Sequence, residues 1–409
     1  MNLDLDFVRR QYPANHWHCA FFENAGGAFV PNAVIDRISA YMGQTQVQPG
    51  YPSAISTAAA ERINLGHRLM AEMIGADVDE VTIAASTSIN VYVLAQALRH
   101  QWNTGDEIIV STLNHEANSG PWRRLAEFGL NIVEWPITAN GSLDMFALDS
   151  LLNEKTRLVA FPHVSNITGE INAVKIITQK AHNVGALVCV DGVACAPHRA
   201  VAVKNWDVDF YLFSFYKVFG PHLGCLYGKP EHLLRAKGQG HYFFPEDDLL
   251  HKLNPAGPNH ESIAALTGIA DYFESLAAHH FAAPAATFFG RTQELYNLFA
   301  QHEESLARQF LDYLNNRADI SLIGPARYEK EVRVPTFSFQ VEGVKSSTVP
   351  TALAADNIAI GEGHFYAKRM LDSLGLLQTD DGVVRCSMAH YNTADEVSQL
   401  IDALEKHLP

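Results

Sequence analysis

No run of about 18 consecutive apolar residues occurs in the 409-residue chain, so no membrane-spanning helix is expected. Basic residues are scarce. Lys and Arg number 30 against 45 Asp and Glu, a formal net charge of -15. Phosphate backbones and anionic lipid surfaces need clustered Lys and Arg, so neither nucleic acid nor a membrane is expected as a partner. Cysteine is sparse, with five residues at positions 19, 189, 195, 225 and 386. They are scattered, with no CxxC and no Cys/His spacing of a metal site. That pattern implies no metal and reduced thiols, as in a cytoplasmic protein. The opening segment MNLDLDFVRRQYPAN has no basic cap followed by an apolar stretch, so no signal peptide is expected. There is no internal repeat and no low-complexity tract. No GxGxxG follows the first strand, which sets aside a Rossmann-type nucleotide enzyme.

What is present is the composition of a well-packed globular protein, 47% hydrophobic and 18% charged. The length suits a large domain plus a smaller one. Short apolar runs at Val81–Ala84, Glu107–Ser111, Asn131–Glu134, Leu158–His163, Leu187–Asp191, Phe210–Ser214 and Gly224–Tyr227 read as strands. Helical patterns fall between most of them, at Ile89–His100, Gly120–Phe128, Met145–Leu152 and Ala173–Asn183. Buried strands alternating with helices predict an α/β fold with a mostly parallel sheet covered on both faces. After Pro255 the texture changes. Helices over Glu261–Leu276 and Arg291–Asn316, strands over Arg333–Val341 and Gly382–Met388, and a closing helix Ala394–His407 predict a second α+β domain. The expected division is 16–280 for the large domain and 281–409, with 1–15, for the small one.

In a parallel sheet, ligands collect at the carboxyl ends of strands. Five such ends carry chemistry here. Lys217 follows the strand ending at Ser214, among aromatic residues and beside Tyr216, where burial would lower its pKa. Asp191 ends LVCVD. Ser86, Thr87 and Ser88 lie between a strand and a helix N-terminus, a natural anion cradle. His115 follows EIIVS, and Asn166 follows LVAF. Singly, each has a plain alternative: a solvated lysine, a turn-forming aspartate, a helix cap, a structural histidine. Together they meet the demands of pyridoxal 5'-phosphate (PLP). That cofactor needs a Schiff-base lysine, a carboxylate at the pyridine nitrogen, phosphate donors and a flat group over the ring. Lys217, Asp191, His115 and Asn166 fill these roles, with Ser86, Thr87, Ser214 and Tyr216 at the phosphate.

These segments resemble the class V aminotransferase family, and within it the cysteine-desulfurase-like branch, over nearly the whole chain. FENAGG (Phe22–Gly27) is similar to the family's opening "DNA" turn, which implies a substrate-side role for Asn24. NHEANSGPW (Asn114–Trp122), HVSNITG (His163–Gly169), VDGV (Val190–Val193) and SFYKVFGPHLG (Ser214–Gly224) match further family segments. In VRCSMAHYNT (Val384–Thr393), the resemblance assigns the substrate carboxylate to Arg385. It implies the aspartate-aminotransferase fold (PLP fold type I), a small amino-acid substrate and a homodimer. The partner subunit's phosphate threonine is replaced near Gly257, where a backbone N–H can still serve.

Departures from the pattern bear on function. Desulfurases carry a nucleophilic cysteine in a loop like RAGHHCAQP. The corresponding stretch is GEGHFYAKR (Gly361–Arg369), with Tyr366 at the cysteine position. A phenol cannot take sulfur as a persulfide, so His364 and Tyr366 are expected to shape the substrate pocket instead. The glutamine after the aspartate motif is Ala194, and the histidine before the lysine is Tyr216. The resulting expectation is a transaminase or a C–S β-lyase. An epimerase and a non-catalytic PLP-fold binding module are the alternatives, and the intact Lys217, Asp191, His115, Asn166 and Arg385 set argues against the last.

Overall fold

The computed structural model describes residues 2–377 and 381–409. Its strands in chain order are β1 (Ala20–Phe21), β2 (Val81–Ala84), β3 (Glu107–Ser111), β4 (Asn131–Trp135), β5 (Thr156–Pro162), β6 (Leu187–Asp191) and β7 (Phe210–Ser214). They continue with β8 (Gly224–Gly228), β9 (Ile320–Ile323), β10 (Thr336–Val341), β11 (Ile358–Ala359), β12 (Gly361–Gly363) and β13 (Val383–Ser387).

The larger sheet has seven strands in the order β2-β8-β7-β6-β5-β3-β4. The pairs from β7 to β4 are parallel, while β8 runs antiparallel to both β7 and β2. The α/β expectation holds, and all seven expected strands fall within two residues of their read positions. Every residue of β6, β7 and β8 except Leu187 is buried, which is why these strands read as continuous apolar runs. The strand order reverses between β3 and β5, so a crevice opens beyond their carboxyl ends.

The helix expected from Ile89 starts at Thr87, because the Ser86 hydroxyl caps it by accepting from the Ile89 N–H. The Gly120–Phe128 helix is one α turn followed by a 3-10 stretch. Of the run Arg333–Val341, only Thr336–Val341 is strand. The fully buried Arg333 guanidinium instead donates to the carbonyls of Thr168 and Thr336.

Two long helices had no counterpart in the sequence reading, Asn32–Gln44 and Ala54–Met73. They pack on the helices His260–Ala265 and Thr267–His280. That packing uses small residues: a Cβ added at Gly66 would lie 2.1 Å from the Ile263 carbonyl oxygen.

The C-terminal part forms a four-stranded antiparallel sheet, β12-β13-β10-β9, over its own apolar cluster. Ala20 and Phe22 join that cluster, and β1 pairs with β11. The N-terminal helix Leu5–Arg10 lies against Thr267–His280, where Phe7 stacks on His279 at 3.7 Å. Arg9 reaches Glu396 at 3.0 Å on the last helix. Among the described residues, no helix is long and apolar enough to cross a membrane. No cluster of three or more His, Cys, Asp or Glu among them is arranged to hold a metal.

Candidate active site

Beyond the carboxyl ends of β5, β6 and β7 lies a cavity. Its wall brings together Ser86, Thr87, His115, Asn166, Asp191, Ser214, Tyr216 and Lys217, the residues expected from their strand-end positions. Ala194 also lines it, where the family pattern has glutamine.

The cradle is built tightly. Thr87 Oγ1 lies 2.7 Å from Ser214 Oγ, joining the helix N-terminus to the end of β7. A Cβ added at Gly224 would sit 2.4 Å from the Thr87 nitrogen, so β8 presses the turn against the cavity. The 12-residue helix beginning at Thr87 points its free N–H groups and dipole at this end.

Asp191 is buried, and one carboxylate oxygen accepts from the Val193 N–H at 2.9 Å. Burial raises its pKa, opposed by that backbone bond and by Lys217. Lys217 is buried as well, and among the described residues its ammonium has no ion-pair partner within 4.0 Å. Burial, aided by the Arg385 guanidinium, brings its pKa down to about 8, with Asp191 acting the other way. His115 accepts from the Ala117 N–H through Nδ1 at 3.1 Å, which places its proton on Nε2. Burial and the charges of Lys217 and Arg385 bring its pKa down to about 3, so the ring is neutral. Asn166 donates one amide N–H to the Phe365 carbonyl at 2.9 Å and keeps the other.

Arg385, in the middle of β13, comes to the same region. Its Nη1 donates to the Asn166 carbonyl at 3.2 Å, while its Nε is buried with no hydrogen-bond partner among the described residues. Tyr366 arrives on the loop after β12, its ring 5.3 Å from that of His115.

Five expected residues do not line the cavity: Arg385 and Tyr366 stand near it, while Asn24, His364 and Gly257 lie elsewhere. Asn24 is buried with its amide committed: it donates to Phe21, Ser387 and Asn392 and accepts from the Tyr391 hydroxyl. It anchors the opening turn to the segment after β13. His364 lines a separate hollow with Glu362 and Lys368, and its Nδ1 accepts from the Tyr366 N–H. Gly257 lines another depression with Pro49, His241 and His260. Conversely, the sequence reading passed over Phe365, whose ring lies across Arg385 with the guanidinium carbon 3.6 Å from its centroid. The signal lies in GEGHFYAKR, where Phe365 stands at a histidine of the desulfurase pattern.

Comparison with known proteins places this geometry. The sequence profile described as aminotransferase class V matches residues 20–400. The chain belongs to the class V aminotransferase family. An aminotransferase-like protein of Gibberella zeae is 39% identical, over 99% of this chain and 98% of its own length. A cysteine desulfurase-like protein of Aspergillus flavus is 32% identical, over 99% and 90% respectively. The crystal structure of an Escherichia coli cysteine desulfurase superposes with a TM-score of 0.84 at 26% identity, covering 99% of this chain and 98% of that one. Class V aminotransferases and cysteine desulfurases are PLP-dependent, and this chain is an enzyme of that kind.

The cavity fits the cofactor on its own terms. Among the described residues it holds a buried carboxylate with a single backbone donor, a buried lysine without a counter-ion, and a helix N-terminus on one wall. A phosphorylated, nitrogen-protonated ring answers each of these.

Proposed function

We propose that the enzyme acts on a small α-amino acid without a protein persulfide, as a transaminase or a C–S β-lyase. The observation that carries this reading is Tyr366 at the loop position where desulfurases have their nucleophilic cysteine. The cysteines support it. Cys189, Cys195, Cys225 and Cys386 are buried, and burial raises all four thiols, Cys195 to about 12. A thiol held protonated is a poor sulfur acceptor.

When bound, PLP supplies an electron sink for negative charge at the substrate's α-carbon. The chain's own groups would do the rest. The Ser86–Ser88 turn, with Ser214 and Tyr216, would hold the phosphate. Asp191 would keep the ring nitrogen protonated, His115 would cover one face, and the remaining Asn166 N–H would serve the 3-oxygen. Lys217 would hold the cofactor and then, released by substrate, move the proton at the α-carbon. A lysine with a pKa near 8 is partly neutral close to physiological pH, as a general base requires. Arg385 would pair the substrate carboxylate.

We read the enzyme further as a cytoplasmic homodimer with units 16–280 and 281–409 plus 1–15. Met1 and residues 378–380 of the smaller unit lie outside the described residues. The separate apolar cluster under the four-stranded sheet supports this division. Tyr51 and Tyr242 are exposed on segments that border the Gly257 depression, an apolar surface suited to a second copy contributing Gly257 across a two-fold axis.

The test is product analysis of the PLP-loaded protein with L-amino acids including cysteine and alanine, beside Lys217→Ala. Sulfide with pyruvate from cysteine identifies the lyase. A keto acid without sulfide identifies the transaminase. A protein persulfide found by mass spectrometry after alkylation overturns the reading.

A further inference from the structure

We propose that Phe365 is a positioning residue for the substrate carboxylate: its ring fixes the Arg385 guanidinium so that one edge is left to bind. This rests on the reading of Arg385 as the carboxylate-binding residue.

Arg385 is 3% exposed, so its charge sits almost wholly away from water. Its Nη1 is engaged by the Asn166 carbonyl, and one face of the guanidinium is covered by Phe365 at 3.6 Å. Its Nε is buried and has no partner among the described residues. A buried charged donor without an acceptor points to a ligand oxygen. With Nη1 and one face committed, Nε and Nη2 form the remaining edge. Two parallel N–H groups on one edge match the two oxygens of a carboxylate.

The loop is built to deliver this ring. Phe365 and Tyr366 have φ of 46° and 59°, left-handed values that aromatic residues rarely adopt. Two hydrogen bonds to the large sheet's loops sustain them: Asn166 Nδ2 to the Phe365 carbonyl at 2.9 Å, and the Glu116 N–H to the Tyr366 carbonyl at 2.8 Å. Gly361 makes the seat. A Cβ there would lie 3.1 Å from Phe365 Cε1 and 3.0 Å from Glu23 Oε1. Laid on RAGHHCAQP, the loop GEGHFYAKR has glycine for arginine at 361 and phenylalanine for histidine at 365. The two differences are complementary, since the side chain missing at 361 leaves room for the ring gained at 365. An apolar cover in place of water strengthens the cation–ring contact and holds the guanidinium in one orientation before substrate arrives. Such a residue acts on binding and leaves the chemical step alone.

The experiment is a calorimetric titration of the PLP-loaded protein with propionate, a carboxylate with no amino group to react. It is run on wild type, Phe365→Ala, Phe365→Tyr and Arg385→Leu, each checked for an unchanged melting curve, with amino-acid kinetics in parallel. Phe365→Ala is expected to bind propionate about tenfold more weakly and to raise KM by a similar factor, with kcat within about twofold. Phe365→Tyr keeps the ring and stays within about twofold of wild type. Wild-type affinity in Phe365→Ala, a Tyr variant as weak as the Ala variant, or a loss confined to kcat overturns the proposal. If Arg385→Leu binds propionate as wild type does, or wild type does not bind it, the reading of Arg385 fails and this inference falls with it.

Discussion

Two buried aspartates stand at opposite ends of adjacent strands, and their surroundings differ. Asp209, just before β7 at the amino end of the sheet, is saturated. It accepts from the Val188 N–H at 2.8 Å, His182 at 2.8 Å and His232 at 3.0 Å, and pairs with Lys229 at 3.1 Å. Burial pushes its carboxyl up, but the two histidine bonds and the Lys229 charge outweigh that and hold it well below the usual range. Asp191, at the carboxyl end of β6, has one backbone donor and a pKa that burial raises. The first cluster satisfies itself and serves the fold. The second is left incomplete by the protein, as a site for a charged ligand must be.

The largest effect belongs to the incomplete side. Lys217→Ala is expected to lower turnover by about a thousandfold or more and to abolish the visible cofactor band of the reconstituted protein. A variant that retains turnover would remove Lys217 from the chemistry. The aspartates themselves come next, and they should respond in opposite ways. Asp191→Asn is expected to cut kcat by on the order of a hundredfold while the melting temperature of the cofactor-free protein holds or rises, because an uncompensated buried charge is removed. Asp209→Asn should leave kcat within about twofold but cost roughly 2 kcal/mol of stability. That is below the figure for a fully buried pair, since the partners His182, Lys229 and His232 keep 27%, 17% and 15% exposure and can turn to solvent. Similar melting losses in both variants would erase the distinction.

Titration separates the two ends again. The Asp209 hydrogen bond, against burial, raises the His182 pKa above 6.5. Its contribution to stability is therefore complete below pH 6.5 and is lost as pH rises through the raised value. Asp209, being depressed, contributes above pH 3.8 and loses that contribution only as pH falls toward its lowered pKa. Lys217 has the sign opposite to that of His182. With its pKa lowered from 10.5 to about 8, the unfolded lysine holds more protons than the native one between those values. The cofactor-free fold therefore gains stability as pH rises from about 8 to 10.5. Melting curves of the cofactor-free protein against pH should show this gain in wild type and lose it in Lys217→Ala. The alkaline loss above pH 6.5 should shrink in His182→Gln.

The same contrast marks what the sequence made legible. Strands β3 and β5 to β8 could be read because buried sheet strands carry unbroken apolar runs, whereas the edge strand β4 is buried only at Trp135. The site residues could be read because polar groups at their carboxyl ends interrupt those runs at Asp191 and Ser214. The helices Asn32–Gln44 and Ala54–Met73 left no comparable trace. Their contacts rest on close approach at residues such as Gly66 and Ala59, so no wide apolar stripe announces them. Asn24 read as a site residue because its turn is similar to the family's. Its commitment to Ser387 and Asn392, more than 360 positions away, exists only once β1 and β13 are brought together. Phe365 was hidden for the same reason, since its partner Arg385 lies on a different strand.

The smallest expected effect lies at the mouth, where groups are neither saturated nor left incomplete. Tyr366 is 68% exposed, and two kinds of contact hold it: its backbone bond to Glu116 and its ring beside His115. Tyr366→Phe keeps both, so the loop and the melting temperature should not change. Only the hydroxyl is lost. If that hydroxyl meets substrate, one exposed hydrogen bond is removed, and KM should rise about threefold with kcat nearly constant. Identical kinetics on the true substrate would mean that the phenol closes the loop and nothing more. Selectivity at the mouth would then rest on Phe365 and Arg385 beneath it.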